Sequence, residues 1–264
     1  MQFSQREHDL ADLAGFERSG SKAKTSVHPI IIVGLAFEAR LVVGAGTVLC
    51  SGDGHDLQPS LARAIMKDCC GLISFGVAGG LAPNLSPGTC IVGSEILSGT
   101  AWLLTDHDWS QNLLQVIPNA IYGKIVGVSA PIPPKAKHAL HLNMGAVAID
   151  MESHIVARIA AENNLPFAAI RVITNPVERP LPQVVWTTMR PNGTIDIGSL
   201  FYSLMKRPAE VGALARTAYD ALAAYARLRH VCRALRRVRW TDAVDVDSAG
   251  GRTVIQQPSS TVIP

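Results

Sequence analysis

Ala148-Ile149-Asp150-Met151-Glu152-Ser153 is the stretch around which the chain is organised. An apolar lead-in reaches the acidic pair, and apolar residues then recur at helical spacing until Asn163-Asn164 and Pro166 supply a stop. The pattern predicts a strand-to-helix junction with Glu152 near the helix start. The helix dipole favours an acidic residue there in any protein, so the junction alone does not distinguish a binding site from an ordinary helix start.

The composition indicates one globular α/β domain. The chain has 264 residues, of which 48% are hydrophobic and 17% charged, enough to bury a full core. A net charge of +3 and an aromatic content of 5% give neither the basic surface nor the stacking platforms of a nucleic-acid-binding protein. No nucleic-acid partner is expected.

Cysteine usage and hydropathy favour a cytoplasmic location. The five cysteines include no C-x-x-C pair, which argues against a disulfide framework or a zinc knuckle, and no metal site is expected. Residues 1–28 are polar and mixed in charge, as in a flexible extension, and no apolar run reaches the roughly 20 residues of a membrane span.

Several polar residues fall where predicted parallel strands end, which is where open α/β sheets bind ligands. Ile30-Ile31-Ile32-Val33 predicts a buried strand that ends at Gly34 and feeds a helix carrying Glu38 and Arg40. Residues 168–174 predict another buried strand, with Asn175 at its tip.

A glycine-rich segment follows a third predicted strand at residues 71–75. Gly76-Val77-Ala78-Gly79-Gly80-Leu81 removes nearly all side-chain bulk, so the predicted loop would let backbone approach a flat ligand. The spacing matches neither the G-x-G-x-x-G nor the G-K-[ST] phosphate motif, which makes a Rossmann dehydrogenase or a P-loop protein a poor fit.

The other segments predict the remaining elements. They are a strand pair at 42–44 and 47–50, a helix at 59–67, a polar excursion at 99–120 that would form a lid or pocket wall, a strand at 125–129, a helix at 135–141 and an irregular substrate-side loop at 177–198.

The C-terminal part predicts a long closing helix from about 208 to 236, with one apolar face formed by Val211, Leu214, Ala215, Ala218, Leu222 and Tyr225. Its end carries Arg229, Arg233, Arg236, Arg237 and Arg239, which complement a helix C-terminus or, alternatively, contact acidic lipid. The domain is therefore placed at residues 29–239, with a disordered tail at 240–264.

Taken in order, the Gly-Val-Ala-Gly-Gly-Leu segment, the Asp-Met-Glu junction and Arg171-Val172-Ile173-Thr174-Asn175 resemble the purine nucleoside phosphorylase and nucleosidase superfamily over residues 29–232. The pattern is most similar to the hopanoid-associated phosphorylase group. The resemblance implies a single-domain α/β fold with a central mixed, mostly parallel twisted sheet flanked by helices.

The resemblance also implies site roles. Ala78 and Gly79 would line the base pocket through their backbone, Met151 would pack on the sugar, and Glu152 would accept hydrogen bonds from the ribose hydroxyls. Glu38 matches the carboxylate that activates water in hydrolytic nucleosidases, Arg40 is the candidate phosphate ligand, and Ser129 would lie near the base, although Ala130-Pro131 replaces the family's Gly-Asp after it.

The implied reaction is cleavage of the N-glycosidic bond of a purine nucleoside, with phosphate or water as acceptor and no cofactor. The resemblance points to adenine release from adenosylhopane; the alternatives are a hydrolytic methylthioadenosine or adenosylhomocysteine nucleosidase, a nucleoside-binding relative without turnover, and a peripheral membrane scaffold. Asn175 stands where the family has an aspartic acid, so acid catalysis at the purine N7 lacks its usual group. A homo-oligomer is also implied.

Overall fold

The computed structural model describes residues 28–50, 57–65, 69–130, 132–178, 206–238 and 240, together with residues 182, 185, 199, 202 and 203. Apart from His28 and Trp240, the predicted N-terminal extension and C-terminal tail lie outside these residues, as does most of the predicted loop at 177–198.

The described part of the chain alternates strands and helices. The strands are β1 (His28–Val33), β2 (Thr47–Cys50), β3 (Cys69–Gly80), β4 (Cys90–Ser98), β5 (Ala101–Leu104), β6 (Ile121–Gly127), β7 (Ala148–Asp150) and β8 (Phe167–Asn175). The helices are α1 (Ala36–Val42), α2 (Leu57–Ile65), α3 (His107–Val116), α4 (Pro134–Met144), α5 (Ser153–Glu162) and, after a 3₁₀ turn at Pro208–Glu210, α6 (Val211–Leu235).

All these strands belong to one mixed sheet in the order β2-β1-β3-β7-β6-β4-β5, and β8 pairs with both β3 and β4. Five pairings are parallel and three antiparallel, so the predicted mixed, mostly parallel sheet is confirmed. Because β8 bridges β3 and β4, the strands β3, β7, β6, β4 and β8 close into a ring, which the sequence did not predict.

Helices flank the sheet on both faces. One core cluster joins α1, α3 and α6 to the sheet, and a second joins α2 and α5 to its other face. The β-branched run Ile30–Val33 is almost fully buried between these layers, as expected for a strand covered on both sides.

Two predicted elements are wrong. Val42 ends α1 instead of starting a strand, because Glu38 and Val42 are buried four residues apart, as on one helix face. The glycine-rich segment is not a loop as far as Gly80, because its backbone pairs with β8 and, at Gly79 and Gly80, with β7.

The predicted polar excursion at 99–120 is also wrong, since it contains β5 and α3. Asp106 caps α3 by accepting a hydrogen bond from the Trp109 backbone N–H at 3.0 Å. Trp109 is buried and its ring packs on that of Trp240, with centroids 4.6 Å apart. This segment therefore belongs to the core and not to a lid.

The long closing helix is confirmed, but its predicted inner face is wrong. Leu222 and Tyr225 from that face are 66% and 41% exposed. The buried residues are Asp220, Ala224, Leu228, Val231, Cys232, Ala234 and Leu235. Both sides of the helix carry apolar residues, so the sequence pattern alone does not select the inner one.

The basic end of α6 makes a local contact. Arg236 Nη2 donates a hydrogen bond to the Val43 carbonyl at 2.6 Å, which ties the end of α6 to the turn after α1. Within the described ranges, no helix has the length and apolar character needed to span a bilayer.

Candidate active site

The ring of strands brings the predicted site residues to one edge of the sheet. In the register of β3 with its two neighbours, Gly79 lies opposite Asn175 of β8 and opposite Ile149 of β7. Asp150 follows Ile149 directly and Glu152 stands at the start of α5. Asn175 and the Asp150–Glu152 junction therefore flank the glycine-rich end of β3.

A buried arginine organises this edge. Arg171 on β8 is 1% exposed and its Nε donates to Asp150 Oδ2. Its Nη2 donates to Ser74 Oγ at 2.6 Å and to Ser153 Oγ at 2.9 Å. Because a buried charge must be paired and hydrogen-bonded, this network fixes β3, β7, β8 and the start of α5 relative to one another.

Asp150 has a second role at the strand-to-helix junction. It accepts hydrogen bonds from the Ser153 backbone N–H, at 3.3 Å to each oxygen, and from the Ser153 hydroxyl. The side chain that pairs with Arg171 thus also satisfies a free amide at the start of α5. The sequence pattern predicted a role for Glu152. It did not indicate the network of Arg171, Asp150, Ser74 and Ser153.

Glu152 lies beside the network and faces the open edge. Its Oε2 is 3.9 Å from Arg171 Nη2, and its side chain is 26% exposed. Gly34, at the end of β1, makes room for it, because a Cβ there would lie 2.6 Å from Glu152 Oε1. The carboxylate is therefore held between β1 and β8 with acceptor capacity directed toward the edge.

The surroundings of Glu152 favour its protonated form. Burial raises the pKa of Glu152 to about 7; Arg171 opposes this shift, whereas Asp150 and Glu38 add to it by like-charge repulsion. Near neutral pH the carboxyl group is therefore partly protonated. A bound ligand that is cationic or donates hydroxyl groups would favour its ionised form.

This shift predicts a pH-dependent stability. A carboxyl whose folded pKa lies above its unfolded value destabilises the fold as pH rises from about 4.5 through 7, because the native state binds more protons. The difference in melting temperature between Glu152→Gln and the wild type is therefore expected to shift in favour of Glu152→Gln when the pH is raised from 5 to 8. A gain of 1 kcal/mol corresponds to about 2–4 °C for a chain of this size. Calorimetric melts at both pH values measure the change, and an unaltered difference between the two proteins would contradict the assignment.

Glu38 is buried, and both of its oxygens accept hydrogen bonds from backbone amides. Oε2 accepts from the backbone N–H groups of Gly34 and Leu35 at 3.0 and 2.9 Å, and Oε1 accepts from that of Val77 at 2.8 Å. Burial raises the pKa of Glu38 against these bonds and the charge of Arg171. The contacts favour a clamp that joins the β1–α1 turn to β3 over the predicted role in activating water.

Arg40 and Ser129 do not join this cluster. Arg40 is exposed on α1 two residues from buried Glu38, and residues two apart face different sides of a helix. Ser129 follows β6 and lines a cavity of about 500 Å³. Most of the other lining groups are apolar, including Leu97, Val126, Ile132 and Leu140.

The predicted base-side residues do lie together. Ala78 is buried, and Thr174 Oγ1 donates to Asn175 Oδ1 at 3.1 Å, so the amide oxygen of Asn175 has a partner. A Cβ on Gly79 would lie 3.5 Å from Asn175 Nδ2, which places an amide donor over the backbone of β3. Met151, at 43% exposure, borders the same edge.

Lys137 also lies at the Gly79 end of β3, which the sequence pattern did not predict. It lies on α4, is 8% exposed, and its Nζ would be 2.9 Å from a Cβ on Gly79. Leu140 follows three residues later on the helix and is partly buried. In the sequence, only the helical spacing of Lys137 and Leu140 indicates that Lys137 faces inward. A solvated lysine would give the same pattern.

No metal centre is evident in the described part of the chain. Its His, Cys, Asp and Glu side chains form no group of three or more with the arrangement of a metal site.

The comparisons with known proteins agree with this architecture. The family model described as "Phosphorylase superfamily" matches residues 22–190. No curated protein sequence matches the chain.

Solved nucleosidase structures share the fold at low identity. The 5′-methylthioadenosine/S-adenosyl homocysteine nucleosidase of Campylobacter jejuni is 13% identical, with a TM-score of 0.55 over 80% of this chain and 100% of its own. The Helicobacter pylori nucleosidase with butyl-thio-DADMe-Immucillin-A is 12% identical, with a TM-score of 0.54 over 81% and 100%. A putative nucleosidase from Francisella philomiragia is 15% identical, with a TM-score of 0.54 over 80% and 100%.

Proposed function

Since this chain belongs to the phosphorylase superfamily, we propose that it cleaves the N-glycosidic bond of a purine nucleoside. One observation carries the proposal: a half-buried carboxylate, Glu152, stands at the open edge beside Arg171 and across from a glycine-lined strand end. The edge thus offers an acceptor for sugar hydroxyls and a flat backbone surface for a base.

Glu152 suits recognition of a ribose. An ionised carboxylate only accepts hydrogen bonds, and its two oxygens can take both vicinal hydroxyls of one sugar. Such charge-assisted bonds are roughly twice as strong as neutral ones. Met151, the preceding residue and largely exposed, supplies an apolar contact for the sugar ring.

The base would lie against Ala78 and Gly79. The low bulk of these residues lets a planar ring approach the backbone, and Asn175 presents its amide N–H groups at the same place. The free donors of Asn175 can bind the purine N7.

The carboxylates also suit the transition state of this reaction. As the C1′–N9 bond stretches, the sugar gains cationic character and the purine gains negative charge. Glu38, Asp150 and Glu152 surround a single arginine, so the cluster is acidic when all three are ionised. An acidic cluster beside the sugar stabilises the developing cation.

The acceptor is proposed to be phosphate, with water as the alternative. Phosphate as co-substrate rests on the family; no other cofactor is proposed. Arg40 stays a proposed phosphate ligand because α1 begins at this edge, but its exposed side chain gives it no described contact with the carboxylates. Three backbone amides bond Glu38, and in the hydrolytic alternative the water would bind at the remaining acceptor site of Oε1.

The finer proposal concerns the substrate. Adenosylhopane as the nucleoside, and adenine release in hopanoid biosynthesis, rest on the sequence resemblance to the hopanoid-associated group. The mainly apolar cavity at Ser129 is compatible with a hydrophobic substituent, because it adjoins the strand β6 that pairs with Asp150. A hydrolytic nucleosidase for methylthioadenosine or adenosylhomocysteine is the alternative.

A nucleoside-binding protein without turnover is a second candidate. Asn175 favours it, because an amide donates a hydrogen bond to the base but cannot transfer a proton.

Exposed apolar and basic side chains bear on assembly and location. The exposed side chains of Phe37, Leu222 and Tyr225 on α1 and α6 support a homo-oligomer, which sedimentation velocity would detect. The basic end of α6 supports peripheral contact with acidic membranes by a cytoplasmic protein, and binding to vesicles of anionic lipid would test it.

The test of the proposed function is Glu152→Ala. A hydrogen bond to a charged acceptor contributes about 1.5–3 kcal/mol, so kcat/KM for adenosine should fall at least about tenfold. Glu162→Ala, an exposed glutamate at the other end of the same helix, is the matched control and should keep the wild-type rate. Equal kcat/KM values for Glu152→Ala and the wild type would remove Glu152 from the site.

A further inference from the structure

Lys137 is a largely enclosed lysine on the base side of the candidate site. It is 8% exposed and makes no hydrogen bond or ion pair with any residue that the structure describes. Its stem is enclosed, while its ammonium is not among the fully buried, unpartnered polar atoms of the described residues, so the group is placed to meet a ligand.

The position of Lys137 relates it to the base. A Cβ on Gly79 would have Lys137 Nζ at 2.9 Å and Asn175 Nδ2 at 3.5 Å. The ammonium and the amide therefore reach the same small volume at the end of β3, which is the part of the site that the proposed function gives to the purine.

The local electrostatics separate Lys137 from the sugar side. Burial lowers the pKa of the Lys137 ammonium, and no carboxylate in the described part of the chain offsets this effect. Glu38, Asp150 and Glu152 instead act on Arg171. An ammonium with a lowered pKa gives up its proton more readily than a solvated lysine does.

We propose that Lys137 is the catalytic residue that protonates the departing purine, the task that the Asn175 amide cannot perform. This inference rests on the proposed function. Asn175 then holds the purine by hydrogen bonding, and Lys137 supplies the proton.

The step balances as follows. The C1′–N9 bond breaks and its electron pair passes into the purine ring, while a proton moves from Lys137 Nζ to N7. An oxygen of phosphate or water forms the new bond to C1′. Lys137 is left as a neutral amine and regains its proton from solvent.

Two substrates separate proton donation from other roles of Lys137. Adenine needs a proton to leave, whereas the nitrophenolate of 4-nitrophenyl β-D-ribofuranoside leaves without one. Lys137→Met should lower kcat for adenosine by about 10²–10⁴-fold, the usual contribution of general acid catalysis, and leave kcat for the nitrophenyl riboside unchanged. Lys137→Arg should show the same loss on adenosine, because arginine keeps the charge but does not give up a proton.

His138→Met is the matched control, since His138 is the exposed neighbour on α4. It should keep the wild-type kcat on both substrates. Thermal melts of Lys137→Met and Lys137→Gln verify the fold, and either variant that melts like the wild type serves for the kinetics.

Three results would overturn the inference. One is an equal loss on both substrates, and another is full activity of Lys137→Arg on adenosine. The third is a Lys137→Met rate that no longer depends on phosphate, which would make Lys137 an anion ligand. A wild type inactive on both substrates would instead refute the proposed function itself, and the inference with it.

Discussion

In a Lys137→Met background, Asn175→Asp is expected to speed adenine release from adenosine by up to about 10²–10⁴-fold over Lys137→Met alone, the range that a positioned general acid contributes. The amide at 175 has Thr174 on its oxygen and directs its Nδ2 over Gly79. A carboxyl group there would add a proton that can move to N7.

Lys137 modulates this gain. Its ammonium lies near the same point and would hold a new carboxylate in the charged form, which cannot donate a proton. The gain should therefore be larger in a Lys137→Met background, where burial alone acts on the carboxyl and raises its pKa. The double variant should recover much of the activity that Lys137→Met loses.

Inosine provides the control for specificity. The Asn175 amide can donate to both N7 and the 6-oxygen of a 6-oxopurine, whereas an ionised aspartate repels both acceptors. Asn175→Asp should therefore slow hypoxanthine release. Rates of base release from adenosine and inosine by both proteins measure the effect, and unchanged rates on both nucleosides would exclude Asn175 from the site.

Arg171→Met is expected to lower the free energy of unfolding by about 3–5 kcal/mol, because it leaves the buried partners of the guanidinium uncompensated. Asp150 is its direct ion-pair partner, and Glu38 and Glu152 lie within its field. At about 2–4 °C per kcal/mol, the melting temperature should fall by roughly 6–20 °C.

The loss should be pH-dependent and partly reversible by a second substitution. Burial raises the pKa values of Glu38 and Glu152, and Arg171 opposes this rise. Without Arg171 these two groups should favour their protonated forms more strongly in the folded state, so the variant should lose more stability as pH rises. Arg171→Met with Asp150→Asn removes both charges and should cost less than Arg171→Met alone. Denaturant unfolding at pH 5 and pH 8 measures both effects. A single variant within about 1 kcal/mol of the wild type would show that the network is not the centre of this edge.

Local sequence pattern was sufficient for the elements whose burial matches their periodicity. The run Ile30–Val33 is apolar and β-branched at every position, which favours a strand covered on both faces, and all four residues are buried. The helix after Glu152 has its apolar residues on one side and a defined stop, so α5 was predicted closely.

Pairing between distant strands was not predictable in the same way. Gly76–Gly80 has the composition of a loop, and only its ladders with β7 and β8 keep it extended. For α6, apolar residues on both faces left the inner face undetermined, and packing against β8 decided it.

In the candidate site, too, some residues were predictable from local sequence pattern and others only from the fold. Glu152 and Asn175 were identified because each stands where an element begins or ends. Arg171 lies within an apolar strand and Lys137 within a short helix, so their roles depend on what the fold places beside them. Glu38 was predicted as a reactive group, but three backbone amides that converge on it indicate a clamp.

The most direct measurement of the central claim is product analysis after incubating the wild-type protein with adenosine, 5′-methylthioadenosine and inosine, with and without phosphate. We predict free purine base together with an equal amount of sugar, as the sugar 1-phosphate if phosphate is the acceptor and as the free sugar if water is. The sugar is ribose from adenosine and inosine and 5-methylthioribose from 5′-methylthioadenosine. Recovery of every nucleoside intact, while calorimetry shows that one of them binds, would contradict the claim and favour a nucleoside-binding protein without turnover.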